Sequence, residues 1–505
     1  MAQMNIASGI REFAISTPGA NALIDGDRRL TFAELDDRSN RVANLLVDAG
    51  LNAGDRVAVL LGNQLEYVEV AAGAAKAGVA MVPLNPRGTA AEHGSLITRS
   101  GASGLIADAA FEDNVPDLAE DLPLALSLGK QDWGRPYDKA LAGARATDPR
   151  VQVSEMEPFC VQYTSGTTGR PKGALLTHRS RVLTMFGCAV DFGVGPGKRT
   201  AAVAPMALGA GFCFGFAGPF MGGQTSMLRR WDPEELLHMI ERDRLQTIFL
   251  VPTHAVLLRQ FMEQAPRKWD LSSLETLYFN AAALPVPLKE WVMDTFPHVG
   301  VHEIYGSTEA GIVTNLRPAD ALRKPGSVGH PWWMTHLKLI DDDGREVGPG
   351  EPGELFGHSP FNMLGYLDEP EATAEAIRPD GYLSSGDIAV RDEEGFVTIV
   401  DRKKDMIISG AANIYPREVE GVLYDCDGVA EVAVVGLPDE KWGETVGAFV
   451  VARDGRGVDF AALEAAVRER LAGYKVPRVW KAVDELPKNT NGKILKRVIR
   501  DTYGS

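Results

Sequence analysis

The stretch Tyr163-Thr164-Ser165-Gly166-Thr167-Thr168-Gly169-Arg170-Pro171-Lys172-Gly173 constrains this chain more than any other. Before it, Glu157 to Gln162 reads as a short buried strand; after it, Ala174 to His178 resumes an apolar pattern. Glycines let backbone N–H groups approach an oxyanion closely and tolerate positive φ. Hydroxyls add donors, and Lys172 adds a point charge. Such a loop suits a polyphosphate. It is not the Walker A arrangement, because Pro171 interrupts the run and no Ser or Thr follows the lysine. Taken alone, it would equally serve as a surface loop rich in Gly and Thr.

The flanking sequence predicts an α/β fold. Helices are expected over residues 7–17 and 31–50, the second with Thr31 and Glu34 as a capping box and Gly50 as its stop. A buried strand at 56–61, a small-residue helix at 63–77 and a strand at 78–83 read as a parallel βαβ unit. Residues 104–107 form a further strand, and 110–150 read as irregular connection. Later come strands at 200–205, 247–251, 276–280 and 301–305, with helices at about 232–243, 255–264 and 286–296. Several strands end in polar or Gly-rich segments, where open α/β sheets bind ligands. Beyond about 325, short strands and Asp/Gly turns predict a mostly antiparallel subdomain. A smaller unit follows, with helices at 416–425 and 459–472 and strands at 429–436 and 445–452.

At 505 residues the chain is too long for one ordinary core. Its 52 basic and 68 acidic residues give a net charge of −16, against nucleic-acid binding. A polyanionic substrate therefore needs a local cluster of donors and cations. Cys160, Cys188, Cys213 and Cys426 show no metal-ligand spacing and read as reduced thiols of a cytoplasmic protein. The N-terminus lacks the charged start and apolar core of a signal peptide. The apolar run from Ala201 to Phe220 carries glycines and prolines and reads as buried loop and helix, not a membrane span.

A second motif, Ile304-Tyr305-Gly306-Ser307-Thr308-Glu309, would alone be more often a helix cap. Asp387 alone would be a turn aspartate, and Lys493 one more surface lysine. Together with the glycine-rich loop these segments resemble the adenylate-forming superfamily: acyl- and aryl-CoA synthetases, peptide-synthetase adenylation domains and firefly-type luciferases. The resemblance runs from about Thr31 to Lys493 and is closest in motif to acid–CoA ligases. It implies a large N-terminal domain, residues 1–401, of stacked α/β subdomains plus a β-rich subdomain. A small mobile α+β domain, residues 402–505, would turn about a hinge at Lys404.

The same resemblance assigns roles. Thr164, Ser165, Gly166, Thr167, Thr168, Gly169 and Lys172 would hold the β- and γ-phosphates of ATP. Ala281, Ala282, Ala283, Tyr305, Gly306 and Ser307 would also contact the nucleotide, with Tyr305 stacking on adenine. Thr308 would meet the α-phosphate and Glu309 would hold Mg²⁺, for which one carboxylate is chemically adequate. Asp387 and Arg402 would bind the ribose. Lys493 would offset the negative charge that crowds the centre as a carboxylate attacks the α-phosphate.

For the acceptor, Ser409, Gly410 and Ala411 resemble a strand lining a pantetheine tunnel, with Ala411 where many relatives keep glycine. Trp442 resembles the tryptophan that packs on the CoA adenine in aryl-CoA ligases, and Tyr474 to Arg478 their 3′-phosphate contact. The acid pocket would be drawn from Thr184, Met206, Leu208, Gly209, Ala210, Phe249, Asn280, Ile304, Gly306 and Gly311. Asn280 could bond a polar substituent or cap its strand. Amino acids are disfavoured because no Asp follows Pro205, and dicarboxylates because no arginine stands in that wall. An aromatic, cyclic or medium-chain monocarboxylate is expected. Pro331-Trp332-Trp333-Met334 reads as core, or as a substrate mouth or domain interface. The expected partners are the acid, ATP and CoA, and a homodimer stays open. The competing readings are an enzyme loading a carrier-protein phosphopantetheine, a luciferase-type oxygenase, and a non-catalytic nucleotide-binding protein. Retention of Lys172, Thr308, Glu309, Asp387 and Lys493 argues against the last.

Overall fold

The computed structural model describes residues 3–129, 133–164, 171–265, 268–409, 412–453, 457–488 and 494–504. Ser165 to Gly169, Gly410, Ala411 and Lys493 lie outside the described residues. The chain divides into two compact units, Met1–His336 with Gly357–Leu383, and Leu337–Phe356 with Ser384–Ser505.

In the first unit the strands Arg56–Leu60 and Ala80–Pro83 pair in parallel around the helix Leu65–Ala77, as the βαβ pattern predicts. Every residue of that helix is buried, including Lys76. Its ammonium is satisfied by Asp36 Oδ1 at 2.6 Å, Ser39 Oγ at 2.8 Å and Asn40 Oδ1 at 2.7 Å, all on the neighbouring helix Phe32–Asp48. A buried cation persists only with such partners. The Thr31–Glu34 capping box of that neighbour is present, with both reciprocal hydrogen bonds.

Among the described residues this sheet has seven strands, ordered Arg135–Pro136, Leu124–Leu128, Gly104–Asp108, Arg56–Leu60, Ala80–Pro83, Pro158–Thr164 and Lys172–Thr177. Only the last pair is antiparallel, its register setting Thr164 opposite Lys172. The expectation of irregular structure over 110–150 is overturned. Leu124–Leu128 is a parallel strand and Tyr137–Gly143 a helix. Leu-Ala-Leu-Ser-Leu has no β-branched or aromatic residue, so propensity hides a strand made by burial.

A second sheet of the same unit has nine strands among the described residues, ordered His330–Pro331, Gly311–Leu316, Gly300–Ser307, Thr276–Phe279, Thr247–Leu250, Arg199–Ala202, Gln224–Met227, Asn21–Asp25 and Arg28–Thr31. Arg199–Ala202, Thr247–Leu250, Thr276–Phe279 and Gly300–Ser307 run parallel. Their C-terminal ends therefore open on one edge. Asn63, just past the end of Arg56–Leu60 in the first sheet, ties into that edge. Its amide donates to Ala202 O at 3.0 Å, Ala204 O at 3.1 Å and Leu228 O at 3.2 Å, and its oxygen accepts from Met206 N at 2.8 Å. The apolar run after Ala201 resolves into a strand end and the helix Gly209–Phe220. Among the described residues no helix is long and apolar enough to cross a membrane.

The second unit holds the strands His336–Ile340, Gly353–His358, Leu383–Arg391 and Val397–Arg402 in one sheet. Its other sheet orders Ala412–Ile414, Ile407–Ser409, Gly443–Ala452 and Val429–Asp439, with Val479–Ala482 added in parallel to Gly443–Ala452. The helices Pro416–Tyr424 and Phe460–Arg470 cover it with a core of Ile407, Ile414, Val419, Leu423, Val432 and Val467. The α/β class, with a large N-terminal and a small C-terminal part, matches the sequence expectation.

Candidate active site

The strand Pro158–Thr164 delivers Thr164 to one carboxylate. Its Oγ1 donates to Glu309 Oε1 at 2.9 Å. Glu309 follows the strand Gly300–Ser307 of the other sheet, so this bond joins the two loops singled out from sequence. Tyr366 OH donates to the same oxygen at 3.2 Å. Burial and the adjacent Glu309 carboxylate push the Tyr366 phenol above its usual range, so it stays a donor. Lys172 Nζ lies 5.2 Å from the centre of the Tyr366 ring. Tyr366 is held there by backbone pairing: Leu364 N donates to Leu175 O at 3.0 Å and Leu367 N to Gly173 O at 2.8 Å. Sequence reasoning missed this tyrosine, because its segment adds to the edge of Lys172–Thr177 without a periodic pattern of its own.

Among the described residues no donor reaches the second oxygen of Glu309, Oε2. No group of three or more His, Cys, Asp or Glu side chains among them could hold an ion by itself. The donor set thus fits a hard cation completed by phosphate oxygens and water.

The Thr308–Glu309 turn is shaped by close backbone approach. A β-bulge falls between Tyr305 and Gly306, which re-aims the strand end. A Cβ on Gly306 would lie 2.0 Å from the Gly311 carbonyl oxygen, and Gly311 itself takes φ of 68°. These two glycines serve the hairpin crossing. Met363 N donates to Glu309 O at 2.7 Å, and Ala310 N to Ser307 Oγ at 3.0 Å. A third contact was not foreseen: Arg181, on the helix His178–Phe192, donates from NH2 to Thr308 O at 3.2 Å. Its NH1 lies 3.5 Å from where a Cβ on Gly311 would stand. The sequence expectation, which found no arginine in the candidate wall, did not include Arg181 beside Gly311.

Other wall candidates are placed as follows. Thr184, Met206, Phe249 and Ile304 are buried, while Leu208, Gly209 and Ala210 are half-buried at the start of Gly209–Phe220. A Cβ on Gly209 would touch Thr308 Oγ1 at 3.5 Å. Thr184 Oγ1 is spent on Ser180 O at 2.8 Å, and Phe249 packs on Phe214 with ring centres 4.5 Å apart. Asn280 Oδ1 accepts from the N–H of Ala281, so its carbonyl serves the strand end. Ala281 takes φ of 76° in the exposed run Ala281–Ala283, a conformation an L residue holds only under constraint. Of the aromatic run, Trp332 is core, while Trp333 and Met334 are exposed; both indoles donate to Asp191 Oδ2, at 2.8 and 3.1 Å.

In the second unit, Arg402 Nε lies 2.6 Å from Asp387 Oδ1, the two residues facing each other across antiparallel strands. Lys403 Nζ holds Glu354 Oε2 at 2.8 Å, whereas Asp405 is held by Arg500 NH2 at 3.3 Å. The side chains on either side of Lys404 thus bind in opposite directions along the chain. Ser409 pairs with Gly443, next to Trp442. Trp442 is 36% exposed, with the Arg478 guanidinium 5.2 Å and Lys441 Nζ 4.7 Å from its ring centre. Tyr474 is exposed on the turn leading to Arg478. An exposed indole flanked by two cations is chemically suited to a purine carrying phosphates.

Residues 10–367 match the family described as AMP-binding enzyme, and residues 418–493 that described as AMP-binding enzyme C-terminal domain. The chain is 39% identical over 494 residues to a feruloyl-CoA synthase of an Amycolatopsis species, 97% of each being covered. It is 36% identical over 503 residues to the 3-[(3aS,4S,7aS)-7a-methyl-1,5-dioxo-octahydro-1H-inden-4-yl]propanoyl:CoA ligase of Mycobacterium tuberculosis, 96% of each being covered. Among solved structures, ATP-bound MatB of Rhodopseudomonas palustris is similar with a TM-score of 0.90 at 30% identity, with 99% of each chain covered.

Proposed function

The chain belongs to the AMP-binding enzymes, and from this premise we propose that it is an acid–CoA ligase whose acid is an aromatic or cyclic monocarboxylate. The reaction runs in two steps. A carboxylate oxygen attacks the ATP α-phosphorus, the bond from that phosphorus to the bridging oxygen breaks, and pyrophosphate leaves. The CoA sulfur then attacks the adenylate carbonyl, AMP leaves, and the thiol proton passes to solvent.

The observation that carries this reading is the Thr164–Glu309 hydrogen bond. It sets the polyphosphate strand and the Thr308–Glu309 turn at one point, as in-line displacement at an α-phosphate requires. Thr164 and Lys172 hold the β- and γ-phosphates, and Thr308 meets the α-phosphate. Glu309 would hold Mg²⁺, which would supply charge neutralisation on the phosphates. Tyr366 and Thr164 fix the Glu309 carboxylate by binding its other oxygen. Asp387, oriented by Arg402, accepts the ribose hydroxyls, and Lys493 meets the charge of the attacking carboxylate.

The opposed anchoring of Lys403 and Asp405 supports a pivot at Lys404 between residues 1–401 and 402–505. Rotation there would withdraw Lys493 and present Trp442, Tyr474 and Arg478, with Ser409, Gly410 and Ala411 lining the thiol's path. The names of the feruloyl- and indanylpropanoyl-CoA relatives support an aromatic or cyclic acid. We place the reaction in the cytoplasm.

Acid-dependent pyrophosphate release across a panel of carboxylic acids tests the proposal, with ferulate, cinnamate, 2-succinylbenzoate and octanoate as probes and CoA present or absent. Release with an aromatic acid, and acyl-CoA formation when CoA is added, is expected. Release without acyl-CoA would point to a carrier-protein thiol, and release only with octanoate would overturn the acid class.

A further inference from the structure

Arg181 is 5% exposed, yet its one hydrogen bond among the described residues goes to a neutral carbonyl, Thr308 O, at 3.2 Å. No described carboxylate pairs with it. Burial pushes its pKa down. A guanidinium carries five N–H donors and stays charged even when desolvated. Leaving such a cation buried and unpaired costs several kcal/mol. Even Arg38, only half-buried, is paired, with Glu69.

The surroundings say what anion is missing. Arg181 touches Thr308, the residue assigned to the α-phosphate, and its NH1 lies against Gly311. Gly209, at the start of the helix that also carries Cys213, would bring a Cβ to 3.5 Å from Thr308 Oγ1. Cys160 lies on the strand that ends at Thr164. The guanidinium thus lies among elements that meet at the Thr308–Glu309 turn.

We propose that Arg181 binds the carboxylate of the acid as it attacks the α-phosphate, its free N–H groups completing the contact that begins at Thr308. This rests on the acid–CoA ligase reading. An arginine here neutralises the attacking group without being able to take its proton, so the oxygen remains a nucleophile. It also rejects neutral isosteres, because an uncharged group leaves the buried cation unpaired.

The test uses Arg181→Met and Arg181→Gln in the full-length protein, with ferulate as substrate and its primary amide as competitive inhibitor. Gln can still donate to the Thr308 carbonyl but carries no charge. In both variants the KM for ferulate should rise about tenfold or more while the KM for ATP changes less than about threefold. The preference of the wild type for carboxylate over amide should collapse in both. Equal rises in the two KM values, or restoration of ferulate binding by Gln, would mean a structural prop for Thr308 and overturn the proposal. A loss confined to acids with a second carboxylate, seen with 2-succinylbenzoate but not ferulate, would overturn it as well. If Arg181→Met does not fold, Arg181→Gln decides alone, by the same two ratios. Absence of pyrophosphate release from the wild type with every acid would instead defeat the ligase reading, and is seen before any variant is made.

Discussion

Thr164 Oγ1 donates to Glu309 Oε1 across 2.9 Å, joining the end of a strand in one sheet to the turn after a strand in the other. Because the bond engages one carboxylate oxygen only, Oε2 is left for a cation. Glu309→Gln should therefore lower pyrophosphate release by about a hundredfold or more. Tyr366→Phe, which removes one donor to the same carboxylate, should cost only about five- to tenfold. Steady-state release rates at saturating Mg²⁺ separate the two.

The Asp387–Arg402 pair predicts a nucleotide-specific defect. Asp387→Asn keeps the shape but weakens acceptance of two ribose hydroxyls and leaves Arg402 without its anion. The KM for ATP should rise about tenfold with the KM for the acid unchanged. Equal effects on both substrates would instead indicate disturbance of the sheet.

Trp442 and Arg478 predict a defect in the second half-reaction. Trp442→Ala removes the ring on which Arg478 and Lys441 converge. The KM for CoA should rise about tenfold, as loss of a stacking surface implies. Pyrophosphate release in a single turnover without CoA measures the step that CoA does not enter, and should keep its rate.

His178 sets a pH dependence of stability. It is buried at the start of the helix His178–Phe192, where its Nδ1 accepts from Ile6 N at 3.3 Å, and burial lowers its pKa from 6.5 to about 3. Between those values the unfolded chain binds a proton that the folded chain does not. Stability from this group is thus complete above pH 6.5 and is lost as the pH falls. Relative to His178→Gln, the wild type should lose up to ~1.4 kcal/mol per pH unit below about pH 6, read by denaturant titration.

Much of this was legible in the chain itself. The βαβ unit around Leu65–Ala77 and the Thr31–Glu34 cap follow from local periodicity and capping chemistry, which need no distant partner. Thr164, Thr308, Glu309 and Asp387 were legible as candidates because their motifs are short and contiguous. Tyr366 and Arg181 were not. Tyr366 reaches Glu309 only through tertiary pairing, Arg181 meets Thr308 from a different element, and neither residue type at its position carries a local signature. The strand Leu124–Leu128 escaped for a related reason: it is made by burial between neighbours, against its own propensity. The hairpin Asn21–Asp25 and Arg28–Thr31 likewise shows no apolar alternation along its outer strand.

In the proposed two-step ligation one cation, Lys493, serves only the first step. Lys493→Ala tests it most directly, with pyrophosphate release from acid and ATP measured beside thioester formation from preformed acyl-adenylate and CoA. Release should fall by about a thousandfold while thioester formation keeps most of its rate. Release at the wild-type rate, or equal loss of both steps, would contradict it.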